Sequence, residues 1–253
     1  MPIGIGITTR NRSIILDITL QHFLEYTPNI NNYKFFVYND TDNQEEKEKY
    51  YPVIEKYNFV NIEYGDNRLG IAKSKNKCLK FLHDCEYVFL FDDDCFPKKI
   101  GWDQYYIDTY KKTDIHHLMH LSPVLGVSRQ CDSITEFKNC MGVMLFFTRH
   151  ALDILGGYDT RFNIYGYEHC QITNRAYDAK LMGNYWKYCS PNRSEEFIYS
   201  MDIELNNYGI APPLNDMKNI HFNSSLIGDE GKVQNFIDYN MKYLNQYNIY
   251  YKI

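Results

Sequence analysis

The chain has 253 residues, 44% of them hydrophobic, and a formal net charge of −5. That length buries a sizeable core, and the slightly acidic balance argues against a nucleic-acid binder, which presents a basic face. The cysteines Cys78, Cys85, Cys95, Cys131, Cys140, Cys170 and Cys189 are odd in number and form no CxxC pair, so reduced thiols are expected rather than a disulfide scaffold or a structural zinc site. The first residues run straight into an expected strand and no apolar stretch is long enough to span a bilayer. A cytoplasmic protein with neither leader nor transmembrane segment is the expectation.

Ile3, Ile5 and Ile7 predict a first strand, with Gly4 and Gly6 admitting close backbone. After the turn Thr8-Thr9-Arg10-Asn11-Arg12 a helix of about four turns is expected, apolar on the side of Ile14, Ile15, Ile18 and Leu24. Residues 33–38 predict a strand closed by Asn39-Asp40-Thr41-Asp42, residues 44–57 a charged helix broken at Pro52, and residues 61–64 a third strand. A loop over 65–70 leads to a helix whose face carries Ile71, Cys78, Leu79 and Leu82. Residues 87–91 read as a buried, central, parallel strand, and residues 98–112 as a helix anchored by Trp102, Tyr105, Tyr106 and Tyr110. Such alternation means an α/β layout with a mostly parallel sheet.

The second half is less regular. Short strands are expected over 117–122 and 124–127, and a buried strand over 142–147. A helix over 149–155 ends at Gly156-Gly157, and one over 168–182 is stopped by Gly183. A strand over 184–189, a long loop or lid over 191–213, and a last helix capped by Asp229 complete the chain. No repeat or linker divides it, so one domain over 1–253 is expected, with halves at 1–112 and 113–253.

The apolar run ending at Asp92-Asp93-Asp94 is the chemical centre. If strand alternation continued, Asp92 and Asp94 would point one way and Asp93 the other. Oxygen ligands at the C-terminal edge of a sheet suit Mg2+ or Mn2+, there to hold phosphates. An acidic turn is the plain alternative. His116, His117 and His120 form a cluster, but no cysteine or second histidine pair completes a zinc site around them.

Five motifs in order carry a resemblance: Thr8-Thr9-Arg10-Asn11-Arg12; Asn39-Asp40; Asn67-Arg68-Leu69-Gly70 with Lys75-Asn76; Phe91-Asp92-Asp93-Asp94; and Gly156-Gly157-Tyr158-Asp159 through Tyr167-Glu168-His169 to Arg175. Over residues 3–224 the chain resembles glycosyltransferases of the GT-A fold, in the nucleotide-sugar-dependent group called family-2-like. The resemblance implies a Rossmann-like α/β domain with helices on both faces of the sheet and a small antiparallel element. It also implies transfer of a monosaccharide from a nucleotide-sugar donor, with Mn2+ or Mg2+, to a saccharide, lipid-linked or protein acceptor. UDP is the expected carrier, with GDP left open, as is the oligomeric state.

By the same resemblance Asp94 and the late His221 are metal ligands, and Asp92 acts on the metal directly, through water, or through the donor's ribose. Asp93 lies in the donor site, Asp40 accepts a base N–H, Thr8 touches the base, and Arg10 reaches the ribose or a phosphate. Asn67 or Arg68, with Gly70, Lys75 and Asn76, matches the family's Asn-x-Gly and Arg-Asn run at a spacing one residue longer.

His169 stands where inverting members carry a base aspartate, and a helix start should keep its imidazole neutral. Glu168 orients it or holds the acceptor, and Asp159 binds sugar hydroxyls or caps its turn. Tyr165 and Tyr167 are acceptor-contact candidates, whereas Trp102 and Trp186 read as core. A retaining transferase, a sugar-phosphate nucleotidyltransferase and a non-catalytic carbohydrate-binding module are the alternatives. The nucleotidyltransferase is disfavoured because the first turn lacks a glycine-rich run.

Overall fold

The computed structural model describes residues 2–162 and 164–201. His221, the rest of the 191–213 segment and the expected last helix lie outside the described residues. In chain order the elements are β1 (Ile3–Thr9), α1 (Ser13–Tyr26), β2 (Tyr33–Asn39), α2 (Gln44–Glu48), α3 (Tyr51–Ile54), β3 (Val60–Tyr64), α4 (Ile71–Phe81), β4 (Tyr87–Asp92) and β5 (Cys95–Pro97). There follow α5 (Trp102–Thr113), β6 (His117–Met119), β7 (Val127–Gln130), β8 (Ile134–Phe137), β9 (Met144–Thr148), α6 (Arg149–Leu155), α7 (Glu168–Asp178), β10 (Cys189–Pro191) and β11 (Ile198–Ser200).

The main sheet has the order β3-β2-β1-β4-β9-β6. Its first four strands are parallel, and β9 runs antiparallel between β4 and β6. The expected α/β class and mostly parallel sheet are both present. β4 is central as expected, but parallel to β1 and antiparallel to β9. Antiparallel pairs β5–β11 and β7–β8–β10 form two smaller sheets. Among the described residues no helix is long and apolar enough to cross a membrane.

The core is aromatic at its centre. Phe23 meets Phe35, Phe91 and Trp102 edge to face at 5.3, 5.0 and 5.7 Å. Trp102 is fully buried and donates its indole N–H to Thr27. Gly6 is required where α4 crosses β1, because a Cβ there would lie 2.7 Å from the Cys78 Cβ.

Several expectations are corrected. Helix α1 buries Leu16, Thr19, Leu20 and Phe23, while Ile14, Ile18 and Leu24 are exposed. The buried residues follow the 16, 19, 20, 23 spacing of one helix face. Thr19 joins them because its hydroxyl donates to the Asp93 carbonyl at 2.5 Å. Residues 123–125 form a 3-10 turn rather than a strand, and the short strand β8 was not foreseen. Helix α7 stops at Asp178, before the left-handed Lys180 at φ 64°. The next strand begins at Cys189 rather than at residue 184, and Trp186, read as core, is 41% exposed. The charged stretch is broken at residues 49–50 into α2 and α3, with Pro52 in the first turn of α3, where its missing N–H is tolerated.

Candidate active site

The parallel strands end along one edge. Thr8 pairs with Asp92 on β4 and Thr9 with Asn39 on β2, and the Asp40 N–H donates to the Thr9 carbonyl at 2.9 Å. The chain winds outward from β1 through β2 to β3, then returns to place β4 on the other side of β1. That reversal opens a crevice at the strand ends where open α/β sheets bind ligands. Asp40 and Asp92 flank it two strand spacings apart, about 10 Å.

Asp92 closes β4, but Asp93 and Asp94 lie in the tight turn to β5, so strand alternation no longer governs them. The expectation that Asp92 and Asp94 share a direction is therefore corrected. Arg12 gathers Asp93 and Asp94, the latter at 2.7 Å, and Thr9 donates to Asp93 at 2.5 Å. Burial pushes the Asp93 carboxyl up to about 7 against the pull of Arg12. For Arg12, burial disfavours the charge and the three aspartates more than offset it, so the guanidinium stays charged. Asp92 turns the other way, to Lys75, with the Thr8 hydroxyl at 3.5 Å.

Lys75 ties this edge to the second half of the chain. It is 1% exposed on the inner face of α4, and its Nζ reaches Asp92 Oδ1 at 2.8 Å and the Gly142 carbonyl at 3.1 Å. Burial and the Asp94 charge push the Asp92 carboxyl up, against Lys75. The Gly142 backbone is packed against the His169 ring, 2.8 Å from the Cβ position that an alanine would fill.

Asp40 accepts backbone N–H groups from Leu69 at 2.7 Å and Gly70 at 2.9 Å, which fixes the entry to α4. Gly70 has φ +84°, and a Cβ there would lie 2.7 Å from the Ile164 Cα. Asn67 and Arg68 are exposed on the same loop. Asn76 clamps the double-glycine turn: its Oδ1 accepts the Tyr158 N–H at 2.6 Å and its Nδ2 donates to the Tyr158 carbonyl at 2.8 Å. Arg175 donates to the Leu155 and Gly157 carbonyls of that turn. Arg10, expected at a ribose or phosphate, pairs with Asp42 at 3.2 Å.

Glu168 and His169 open α7. Glu168 is 4% exposed and its Oε1 lies 3.3 Å from His169 Nδ1. Burial raises the Glu168 carboxyl but His169 lowers it further, so the net direction is down. Burial lowers the His169 imidazole, while Cys170 and Glu168 lift it well above the ordinary value. Against the expected neutral imidazole, Cys170 and Glu168 favour the protonated ring more than burial disfavours it. Asp159 takes the Arg161 backbone N–H at 2.9 Å and grips its guanidinium, so it caps its own turn.

Buried polar atoms without a hydrogen-bond partner among the described residues include Asp94 Oδ1, Glu168 Oε2, Tyr158 Oη and both side-chain polar atoms of Gln171. Tyr158 feels the charges of Glu168 and Asp92, and Gln171 lies one turn beyond Glu168 on α7. Unpaired groups of this kind await a polar ligand or water. Asp94 Oδ1 is a carboxylate oxygen of the type a hard divalent cation takes, so the donor set fits one.

The turn motif contains Arg12, but the sequence reading gives a role to Arg10 alone. Gln171 carried no sequence signal. The histidine cluster serves the fold: His117 bonds Phe146 and Thr173, His120 bonds Ser194, and burial holds them down at about 4 and about 3.

No protein-family model matches the chain. An uncharacterized glycosyltransferase of Acanthamoeba polyphaga mimivirus is 24% identical over 203 residues, which are 75% of this chain and 70% of that relative. The crystal structure of GalNAc-T7 with UDP, GalNAc and Mn2+ has a TM-score of 0.55 at 15% identity, over 68% of this chain and 40% of its own. The mannosyltransferase PcManGT from Pyrobaculum calidifontis, in complex with GDP-Man and Mn2+, has a TM-score of 0.51 at 14% identity, over 64% of this chain and 48% of its own. This chain thus spans about half the length of the solved structures it matches or less. The likeness shows the fold: this is the GT-A fold of glycosyltransferases.

Proposed function

We propose that the chain is a metal-dependent glycosyltransferase that moves a monosaccharide from a nucleotide-sugar donor, UDP-linked in our reading, to an acceptor hydroxyl with inversion. The observation that carries this is the run Asp92–Lys75–Gly142–His169, which joins the phosphate-holding edge to a candidate base through contacts of 2.8 and 3.1 Å and one close-packed backbone. Solved proteins of this fold are complexes with UDP or GDP-Man and Mn2+, which supports the donor class.

The crevice between Asp40 and Asp92 takes the nucleotide in this reading, with residues 1–112 forming the donor half and residues 113–253 the acceptor half. Asp94, through its unpaired Oδ1, would hold Mn2+ or Mg2+, with Asp92 acting through water or the donor's ribose and His221 as the expected further ligand. When bound there, such a cation would supply positive charge to the departing diphosphate. Arg12 adds a fixed positive charge beside Asp94. Glu168 Oε1 holds His169 Nδ1, so the other ring nitrogen is the one free to take the acceptor's proton. Tyr158 Oη, Glu168 Oε2 and Gln171 supply hydrogen bonds to sugar hydroxyls.

Donor hydrolysis and transfer measured with UDP- and GDP-sugars, with and without Mn2+, test the reading. Metal-stimulated release of nucleotide diphosphate is expected. Failure to bind any nucleotide under these conditions would end it.

A further inference from the structure

Outside the carboxylate edge, Cys140, His169 and Cys170 bring one ligand atom each to within 4.8 Å of one another. Cys140 precedes β9 and Cys170 follows His169 on α7, so nothing in their spacing announced a site. The two sulfurs are 3.2 Å apart, and each lies within 4.8 Å of a His169 ring nitrogen. All three side chains are partly exposed, so an ion can reach them. Glu168 lies behind His169 as the carboxylate that metal-binding histidines usually carry on their second nitrogen.

We propose that Cys140, His169 and Cys170 form a binding site for a soft or borderline divalent cation, Zn2+ by chemical class, with its fourth position open. Two thiolates and one imidazole are a ligand set of catalytic-type zinc centres, and thiolates disfavour the hard Mn2+ that carboxylates take. Tetrahedral bonds of about 2.3 Å place two zinc-bound sulfurs about 3.8 Å apart. The present 3.2 Å separation therefore needs only a small opening. Each thiol gives its proton to solvent as its S–Zn bond forms, and a protonated His169 gives up one ring proton as its N–Zn bond forms, so binding releases two protons from the neutral ring and three from the charged one, with no change of oxidation state. If His169 is the base proposed above, the same cation occupies its lone pair and stops transfer. The site itself does not depend on that reading.

Titration of the reduced full chain with Co2+ tests the proposal without any activity assay. A thiolate-to-cobalt charge-transfer band saturating at one equivalent, and displaced by Zn2+, is expected. C140S should abolish the band, C131S should keep it, and E168Q should weaken affinity 10–100-fold. As a measure free of folding defects, Zn2+ should protect Cys140 and Cys170 of the wild-type chain from alkylation and leave Cys131 reactive. The proposal is overturned if the band is missing, if it survives C140S, or if Zn2+ gives no protection. It also fails if the two cysteines prove to be a disulfide whose reduced form takes up no cation. Uptake of Co2+ or Zn2+ by a chain that, stripped of that cation and given Mn2+, shows no glycosyl transfer would sink the proposed function and leave this site standing.

Discussion

Lys75 Nζ lies 2.8 Å from Asp92 Oδ1, and the lysine is almost wholly buried. An ammonium without solvent must be repaid by its partners, here Asp92 and the Gly142 carbonyl. Lys75→Met keeps the stem and removes the charge. Breaking a buried pair costs about 3–5 kcal/mol, but the Asp92 side chain is 23% exposed, which reduces the penalty. The expected loss is about 2 kcal/mol in urea unfolding, with nucleotide binding weakened as Asp92 loses its anchor. A stability within about 0.5 kcal/mol of wild type would mean the pair is energetically idle.

The Glu168–His169 contact sets a pH dependence. With its pKa lifted, His169 holds a proton further up the pH scale and must lose it to act as a base. Transfer should therefore rise with pH along an acid limb that belongs to this dyad. Glu168→Gln removes the lifting charge, so the limb should move to lower pH, while His169→Ala should lower kcat about 100- to 10,000-fold with nucleotide affinity kept. Profiles of kcat/KM against pH for the wild type and E168Q check this. An unmoved limb in E168Q would assign it to another group.

Much of the sheet edge around Asp40 and Asp92 was legible because strands and their ends obey short-range rules. The isoleucine alternation of β1, the apolar run of β4 and the acidic stop after it each announce themselves within about seven residues. Face assignment failed on α1 because hydrophobicity favoured isoleucines that the fold leaves in solvent, while a threonine earned its burial from a carbonyl 74 positions away. Separations of 82 and 30 positions hid Arg12 from Asp94 and Cys140 from Cys170. Charge pairs and thiol contacts are made by topology, and no local pattern records them.

Asp93 ties stability to pH. Its carboxyl is fully buried and pushed up to about 7, whereas an unfolded aspartate titrates near 3.9. Between those values the folded chain holds more protons at this site than the unfolded chain, so stability falls as pH rises. Asp93 thus contributes stability fully present below about pH 4 and lost by about pH 7, on the order of 4 kcal/mol. Thermal unfolding in EDTA from pH 4 to 8 should show this slope, and Asp93→Asn should flatten it. Parallel curves for the two proteins would assign the slope elsewhere.

Gly70 is where a backbone constraint joins the two halves. Its N–H donates to Asp40, its φ is +84°, and the next residue, Ile71, donates to the Ile164 carbonyl at 2.9 Å. An alanine Cβ would meet the Ile164 Cα at 2.7 Å, which is backbone and cannot swing away. Gly70→Ala should therefore cost about 1–3 kcal/mol, from left-handed strain together with the clash. The loss should be accompanied by faster amide exchange at Leu69 and Gly70, because displacement of the segment releases both N–H groups from Asp40. Normal stability with unchanged exchange at those two amides would show that the loop and the residue 164 segment are not packed as described.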